Sequence, residues 1–253
     1  MTKQQIQKLK KRLLELEEEH DLFVIDYRNT RTTRLEEIIS RFFMSYGQKG
    51  KLIFADLLKP LTAKERRGYP KELKKRRDLL AYELYQFFME DMDDELDMIY
   101  ALQQAIIEEA YKAASKKANA KTIKNIMSRS KTADYMKANK EKQAAHILAL
   151  IQTEILRGNG YQTTIDNVLQ KYDLRANTEE KRLAYTEDTF LVNEALKEAS
   201  GASKYRYMTA GDDRVCEDCS LLHGMEFAYE EAVVGFNYPP MHPWCRCIAV
   251  PED

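Results

Sequence analysis

Cys216-Glu217-Asp218-Cys219 and, after twenty-two intervening residues, His242-Pro243-Trp244-Cys245-Arg246-Cys247 hold the residues of this chain best suited to chemistry. Two residues between thiols let a tight turn point both sulfurs at one tetrahedral ion, the spacing of a zinc knuckle. His242, Cys245 and Cys247 offer three further donors. A closed structural zinc site uses four ligands, so one of the five is spare. Cys216 and Cys219 are the firmest members. Two of His242, Cys245 and Cys247 complete the shell, with the two cysteines favoured by a small margin. The competing readings are a set of buried free thiols and a disulfide pair in an oxidising setting. His223 is nearby, but His223-Gly224 reads more easily as a turn.

A catalytic zinc keeps one position open for water and needs a general base. Zinc deaminases place His-x-Glu ahead of Pro-Cys-x-x-Cys. Here Cys-x-x-Cys comes first, no His-x-Glu is present, and Glu226 follows His223 at the wrong spacing. Thiolate-rich shells are typical of structural zinc, so the four cysteines read as a folding device. Gly201–Asp253 has few aliphatic residues and cannot build much core, and metal binding can supply the missing folding free energy.

Composition sets this segment apart. Of 253 residues, it holds all four cysteines, the only tryptophan and four of the six prolines. It carries 4 basic and 9 acidic residues, net −5, against +4 for Met1–Ser200, and the whole chain is −1. A near-zero charge argues against a dedicated nucleic-acid coat. No apolar run reaches the ~18–20 residues of a membrane span. The N-terminus lacks an apolar h-region and so does not read as a secretory signal. The expected setting is reducing cytosol, where clustered cysteines more often mean metal than disulfide.

The elements that must position the cluster read as helices. Ile6, Leu9, Leu13, Leu16, His20, Phe23 and Tyr27 repeat at alternating spacings of 3 and 4, an a/d heptad seam. His20 reads as a tolerated polar residue on it. A first helix of about 40 residues is expected to stop near Gly47, with Asn29-Thr30 its weakest point. After a connector over Gly47–Pro70, in which Leu52–Leu58 fits helix or strand, a second long helix is predicted from about Lys71 to Ala118. Lys121–Ser130 and Thr132–Arg157 read as two more, the latter closed by Gly158. Thr163/Thr164 predicts a short helix. Thr178 with Glu179 and Glu180 predicts the start of another that Gly201 closes. Tyr205–Met208 reads as a short strand. Basic runs at Lys8–Arg12, Lys71–Arg77 and Lys112–Lys124 read as solvated faces, or as contacts to DNA or an acidic partner.

Asp213-Arg214-Val215-Cys216-x-x-Cys219 is followed by Gly224-x-x-Phe227 and by Pro240-x-His242-Pro243-x-Cys245-Arg246-Cys247. Upstream stand a helix ending at Arg157-Gly158, then Thr163-x-Ile165, then Tyr185-Thr186-Glu187 and Asn193-Glu194-Ala195. Over roughly Ala144–Pro251 this pattern resembles the phage Mu protein F-like minor head proteins, also called phage head morphogenesis proteins. Where that family often has Arg-Thr-Glu, this chain has Tyr185-Thr186-Glu187. The resemblance implies a minor protein of the phage head, present in few copies. It would be associated with the portal vertex and act in head assembly, DNA packaging or DNA ejection. It implies a metal site at the Cys/His cluster. Some relatives carry a fused toxin or enzyme domain after this module, and the sequence stops six residues past Cys247, so none is expected here.

The expected fold is mainly α, with long helices packed like coiled coils, followed by a small α+β zinc-binding C-terminal module. The expected parts are 1–140, a long-helix region offering portal or capsid contact; 141–200, the helical part of the head morphogenesis domain; and 201–253, the Cys/His zinc module. The expected function is that of a non-enzymatic minor capsid protein of the virion, at the head interior or portal vertex, made in the host cytoplasm. Its expected partners are the portal protein and capsid or scaffold proteins, with DNA contact through basic helix faces and self-association through the long helices. The cofactor is structural Zn2+. The alternative is a zinc-dependent nucleic-acid binder in which Trp244 stacks on a base instead of packing over the metal. A zinc hydrolase or deaminase ranks below both.

Overall fold

In a computed structural model, the described residues are 1–90 and 92–252, with the side chains of 20, 23, 24, 26–28, 30 and 174–177 outside the description. The seam positions His20, Phe23 and Tyr27 therefore lie outside the described side chains. The chain is mainly helical, with a small three-stranded sheet at the C-terminal end.

Helix α1 runs unbroken over Lys3–Tyr46. It has no Gly or Pro to break it, so Asn29-Thr30 does not interrupt it. A capping box starts it: Gln5 N–H donates to Thr2 Oγ1 (3.2 Å), and Thr2 N–H donates to Gln5 Oε1 (2.7 Å). Gly47 ends it where a Cβ would stand 2.4 Å from the Phe43 carbonyl oxygen, a space only glycine can occupy. The piece that fitted helix or strand forms a single turn, α2 (Phe54–Leu57).

The second long helix expected over 71–118 is seen as α3 (Arg76–Glu90) and α4 (Met92–Ala113), on either side of residue 91, which lies outside the described residues. At its start, Leu61 and Arg76 exchange backbone bonds with Lys74 and Lys59, which holds 71–75 out of the helix. At its end, Ser115 takes a left-handed conformation (φ 58°) and Lys116 N–H returns to the Tyr111 carbonyl. Helices α5 (Ala120–Met127) and α6 (Thr132–Leu156) follow as predicted. Helix α7 (Tyr161–Ser200) is a correction: one 40-residue helix replaces the two expected, and Thr178 sits inside it. A capping residue begins a helix only where the preceding turn is broken, and no Gly or Pro lies between Tyr161 and Ser200.

The C-terminal elements are β1 (Lys204–Met208), α8 (Glu217–Leu222), β2 (Glu226–Ala228) and β3 (Ile248–Glu252). The sheet order is β2-β1-β3, antiparallel throughout, with Tyr205 opposite Phe227 and Tyr207 opposite Ala249. The expected strand at Tyr205–Met208 is the central one.

Two compact units form. The first joins Met1–Phe23, Asp94–Tyr135 and Glu180–Asp253; the second joins Val24–Asp93 and Met136–Glu179. In the first unit, seam residues Leu9 and Leu16 are buried with Ile106, Ile107, Val192 and Leu196. The second unit has its own core, in which Phe88 is fully buried and meets the Tyr172 ring edge-on at 5.8 Å. Removing a buried aromatic leaves a cavity, so Phe88→Ala is expected to cost about 3–5 kcal/mol. Urea unfolding followed by circular dichroism measures it. A loss below about 1 kcal/mol would show that this core is not packed around Phe88.

Candidate metal centre

Three short pieces of backbone carry the five candidate ligands. Cys216 is the N-cap of α8, and its sulfur accepts the Cys219 N–H at 3.4 Å. Cys-x-x-Cys thus places one thiol at the helix cap and the other in the first turn, both near the positive end of the backbone dipoles. His242 and Cys245 share a tight turn closed by Cys245 N–H on the His242 carbonyl (3.1 Å). Cys247 stands immediately before β3.

All five meet. The ligand atoms of Cys216, Cys219 and His242 lie within 4.8 Å of one another, and so do those of Cys219, Cys245 and Cys247. Cys219 belongs to both groups. His242 Nε2 is 3.1 Å from Cys216 Sγ and 3.4 Å from Cys219 Sγ. Its Nδ1 is 2.7 Å from the Pro243 carbonyl, which places the ring proton there and leaves Nε2 free to coordinate. The four cysteines are free thiols. Cys219, Cys245 and Cys247 are buried, while Cys216 and His242 are half-buried. The five line one cavity of about 20 Å³, room for a single small sphere. His223 is absent from this group; its Nδ1 lies 2.8 Å from Thr209 Oγ1, beside the turn at Gly224. The cluster could hold a metal ion.

The electrostatics are uneven. A hydrogen bond from Cys247 holds the Cys245 thiol down to about 5. That same bond, with burial, pushes Cys247 up. Burial pushes Cys219 up to about 12. For Cys216, burial is outweighed by the Cys219 amide and by His242, and its pKa falls. Crowded thiols cannot all ionise unaided, and a bound cation removes that conflict.

Residues around the ligands fix them in place, and sequence motifs did not single out their roles. Tyr207 on β1 is fully buried, and its hydroxyl donates to Cys219 Sγ (3.3 Å). One face of α7 grips the ligand loop. Thr186 Oγ1 accepts the Trp244 N–H (3.2 Å), and Thr189 Oγ1 donates to the Cys245 carbonyl. Asn193 donates to the Cys247 carbonyl (3.1 Å) and accepts the Ala249 N–H (2.6 Å). The positions 186, 189 and 193 lie on one helical stripe. Polar residues at that spacing, beside the apolar Val192 and Leu196, were the available signal. Trp244 lines the cavity at the Cys/His cluster, and its ring lies 5.3 Å from that of Tyr185.

A second cavity of about 80 Å³ adjoins the cluster, sharing Ala210, Arg246 and Cys247 with it. Arg246 pairs there with Asp212 at 2.6 Å. Burial pushes Glu17, on its α1 wall, up to about 7.

With fold and cluster described, the comparison with known proteins is specific. Residues 145–250 match the family described as Phage Mu protein F like protein. This region is therefore Phage Mu protein F-like, which bears out the resemblance seen in the C-terminal motifs. The family points to a phage head morphogenesis protein, with phage capsid partners and association with the virion. No curated protein and no solved structure matches the chain. No helix among the described residues is long and apolar enough to cross a membrane.

Asn193→Ala leaves a buried carbonyl and a buried N–H without partners. It is expected to destabilise the chain by about 2–4 kcal/mol, read from denaturant unfolding; a cost under 1 kcal/mol would mean the grip is idle. Glu17 gives a pH dependence. Its folded pKa lies above the unfolded value of 4.5, so its contribution is complete below about 4.5 and is lost as pH rises to about 7. Glu17→Gln should therefore gain about 2 kcal/mol over the parent at pH 8 and little at pH 4.5. Equal stability of the two proteins at both pH values would contradict the burial of this carboxyl.

Proposed function

We propose that this chain is a structural minor capsid protein of the phage head. In this reading it is associated with the portal or inner capsid and acts in head morphogenesis, DNA packaging or DNA ejection, not as an enzyme. The observation that carries it is the coincidence of the Phage Mu protein F-like stretch, 145–250, with a Cys/His cluster that could hold a metal ion.

The residues fit zinc. Sulfur and imidazole are the donors zinc takes, and a tetrahedral site with Zn–S of about 2.3 Å and Zn–N of about 2.0 Å has S-to-N edges of about 3.5 Å. The Cys216 and Cys219 separations from His242 Nε2, 3.1 and 3.4 Å, are close to that. Our assignment of the shell is Cys216, Cys219 and His242, whose ligand atoms lie within 4.8 Å of one another, with Cys245 as the fourth ligand, drawn in from the second group, which it shares with Cys219 and Cys247, when the ion binds. It takes in His242, where the spacing alone slightly favoured Cys247. His242 and Cys245 are tied through one turn, and His242 presents a free Nε2 to both other thiols. Cys247 then stands beside the shell as a hydrogen-bond donor to Cys245. Four protein ligands leave no position for a reactive water, which suits a structural role. The zinc supplies folding free energy to a module whose own buried clusters are small, Tyr205, Tyr229, Tyr238 and Ala249 on one side and Tyr207 with the thiols on the other.

Two measurements test this. Purified protein should contain about one zinc per chain. Cys216→Ser, Cys219→Ser, His242→Ala and Cys245→Ser should each lose most of it, and Cys247→Ser should keep it. Retention of full zinc by Cys219→Ser would sink the site. For the head assignment, mass spectrometry of purified heads from the encoding phage should find the chain in a few copies. Heads that form and package normally with the gene deleted, and never contain the chain, would refute it.

A further inference from the structure

We propose that the loop Ala232–Tyr238 is a docking knob. Val233, Val234 and Phe236 would enter an apolar pocket rimmed by lysine or arginine on another protein of the phage head. The proposal rests on the head assignment and adds to it the surface and the kind of partner.

The loop presents apolar side chains outward. Val233 is 56% exposed, Val234 49% and Phe236 74%. Singly exposed apolar residues are ordinary, but three within four positions of one tight loop make a patch. The backbone beneath them is fixed. Asn237, itself buried, accepts the Val233 N–H through its side chain (2.7 Å) and donates to the Glu231 carbonyl (3.0 Å). Gly235 N–H bonds the Tyr238 carbonyl (3.2 Å), with Gly235 in the left-handed region at φ 84°. Tyr205 anchors the base by donating to the Asn237 carbonyl (3.0 Å). Below lie the packed rings of Tyr205, Tyr229 and Tyr238. A loop held this firmly loses little conformational entropy on binding, which favours affinity. The same hydrogen bonds would form with serine at the three outward positions, so the fold alone gives no reason for large apolar groups there.

Shape and charge define the occupant. A protruding tip fits a concave pocket and cannot bury a second tip, which argues against self-pairing through this loop. Three side chains offer far less than the ~800 Å² per partner of a stable interface, so they act as an anchor within a wider contact. Glu230 and Glu231 are exposed beside the tip, while Lys197 lies over the Tyr229 and Tyr238 rings at its base, 5.4 and 5.9 Å from their centres. A basic rim on the partner complements the two glutamates. The same acidity disfavours an anionic lipid surface or nucleic acid.

The test compares the full chain with Val233→Ser/Val234→Ser/Phe236→Ser, expressed from the phage that encodes it. Copies per purified head are counted by quantitative mass spectrometry, and zinc content of the purified variant reports folding of the module. The triple variant should retain its zinc and fall about ten-fold or more in head incorporation. Phe236→Leu, which keeps an apolar tip, should stay near the parent. Glu230→Lys/Glu231→Lys should fall about three-fold or more through charge repulsion. Parent-level incorporation of the triple variant overturns the knob while leaving the head assignment standing. Absence of the unaltered chain from heads overturns that assignment, and the knob with it.

Discussion

The amide of Asn193 is the contact on which the C-terminal architecture turns. It sits fully buried on α7, donating to the Cys247 carbonyl and accepting from Ala249 N–H. Those two groups mark where the ligand loop becomes the edge strand β3. An unpaired backbone group buried there would cost about 1–3 kcal/mol, so the loop is stable in this place only while α7 presents an amide. Thr189 and Thr186 extend the same grip to Cys245 and Trp244. The long helix is thus a template against which the thiols are set, and not merely the element before them.

This template explains why so small a segment can hold five ligand atoms together. The cluster draws on a helix cap, a helical turn and a strand edge, which share little local sequence. Each is fixed by a different partner: Cys216 by capping α8, Cys219 by the Tyr207 hydroxyl, and Cys245 by the α7 threonine. A ligand set assembled in this way before the ion arrives loses less entropy on binding than one gathered from a flexible loop. The uneven ionisation of the thiols adds a second coupling. Cys245 ionises readily while Cys219 and Cys247 resist, so charge builds in one corner of the cavity, and a divalent cation would let the rest follow.

The sequence disclosed what depends on residue type and close spacing. Cys216-x-x-Cys219 and His242-x-x-Cys245-x-Cys247 announced themselves because few other roles use those types so densely, and the structure brings all five together. Tyr205–Met208 alternated as a strand should, and lies at the centre of the sheet. The heptad seam was legible at Leu9 and Leu16, both buried. Helix ends were harder, because their signals are conditional. Thr178-Glu179-Glu180 has the chemistry of a helix start, but inside an unbroken helix there is no terminus for it to cap. The reverse failure fell at 71–75, where helix-favouring lysines are held in a turn by bonds to 59 and 61. The partners of the α7 grip were hidden for a different reason. They are 54 to 58 residues away, and a threonine or asparagine carries no mark of what it will bond.

The two ends of the C-terminal module are held in opposite ways. At one end, polar side chains of α7 turn inward and pair with backbone groups of the ligand loop. At the other, the Asn237 side chain pairs with the Val233 N–H and the Glu231 carbonyl, while Val233, Val234 and Phe236 face solvent. The same physical rule, that buried backbone polar groups must be paired, produces both a closed ligand site and an open apolar tip. The two ends meet on one strand: on β1, the Tyr207 hydroxyl bonds Cys219 of the ligand cluster, and the Tyr205 hydroxyl holds the base of the apolar tip.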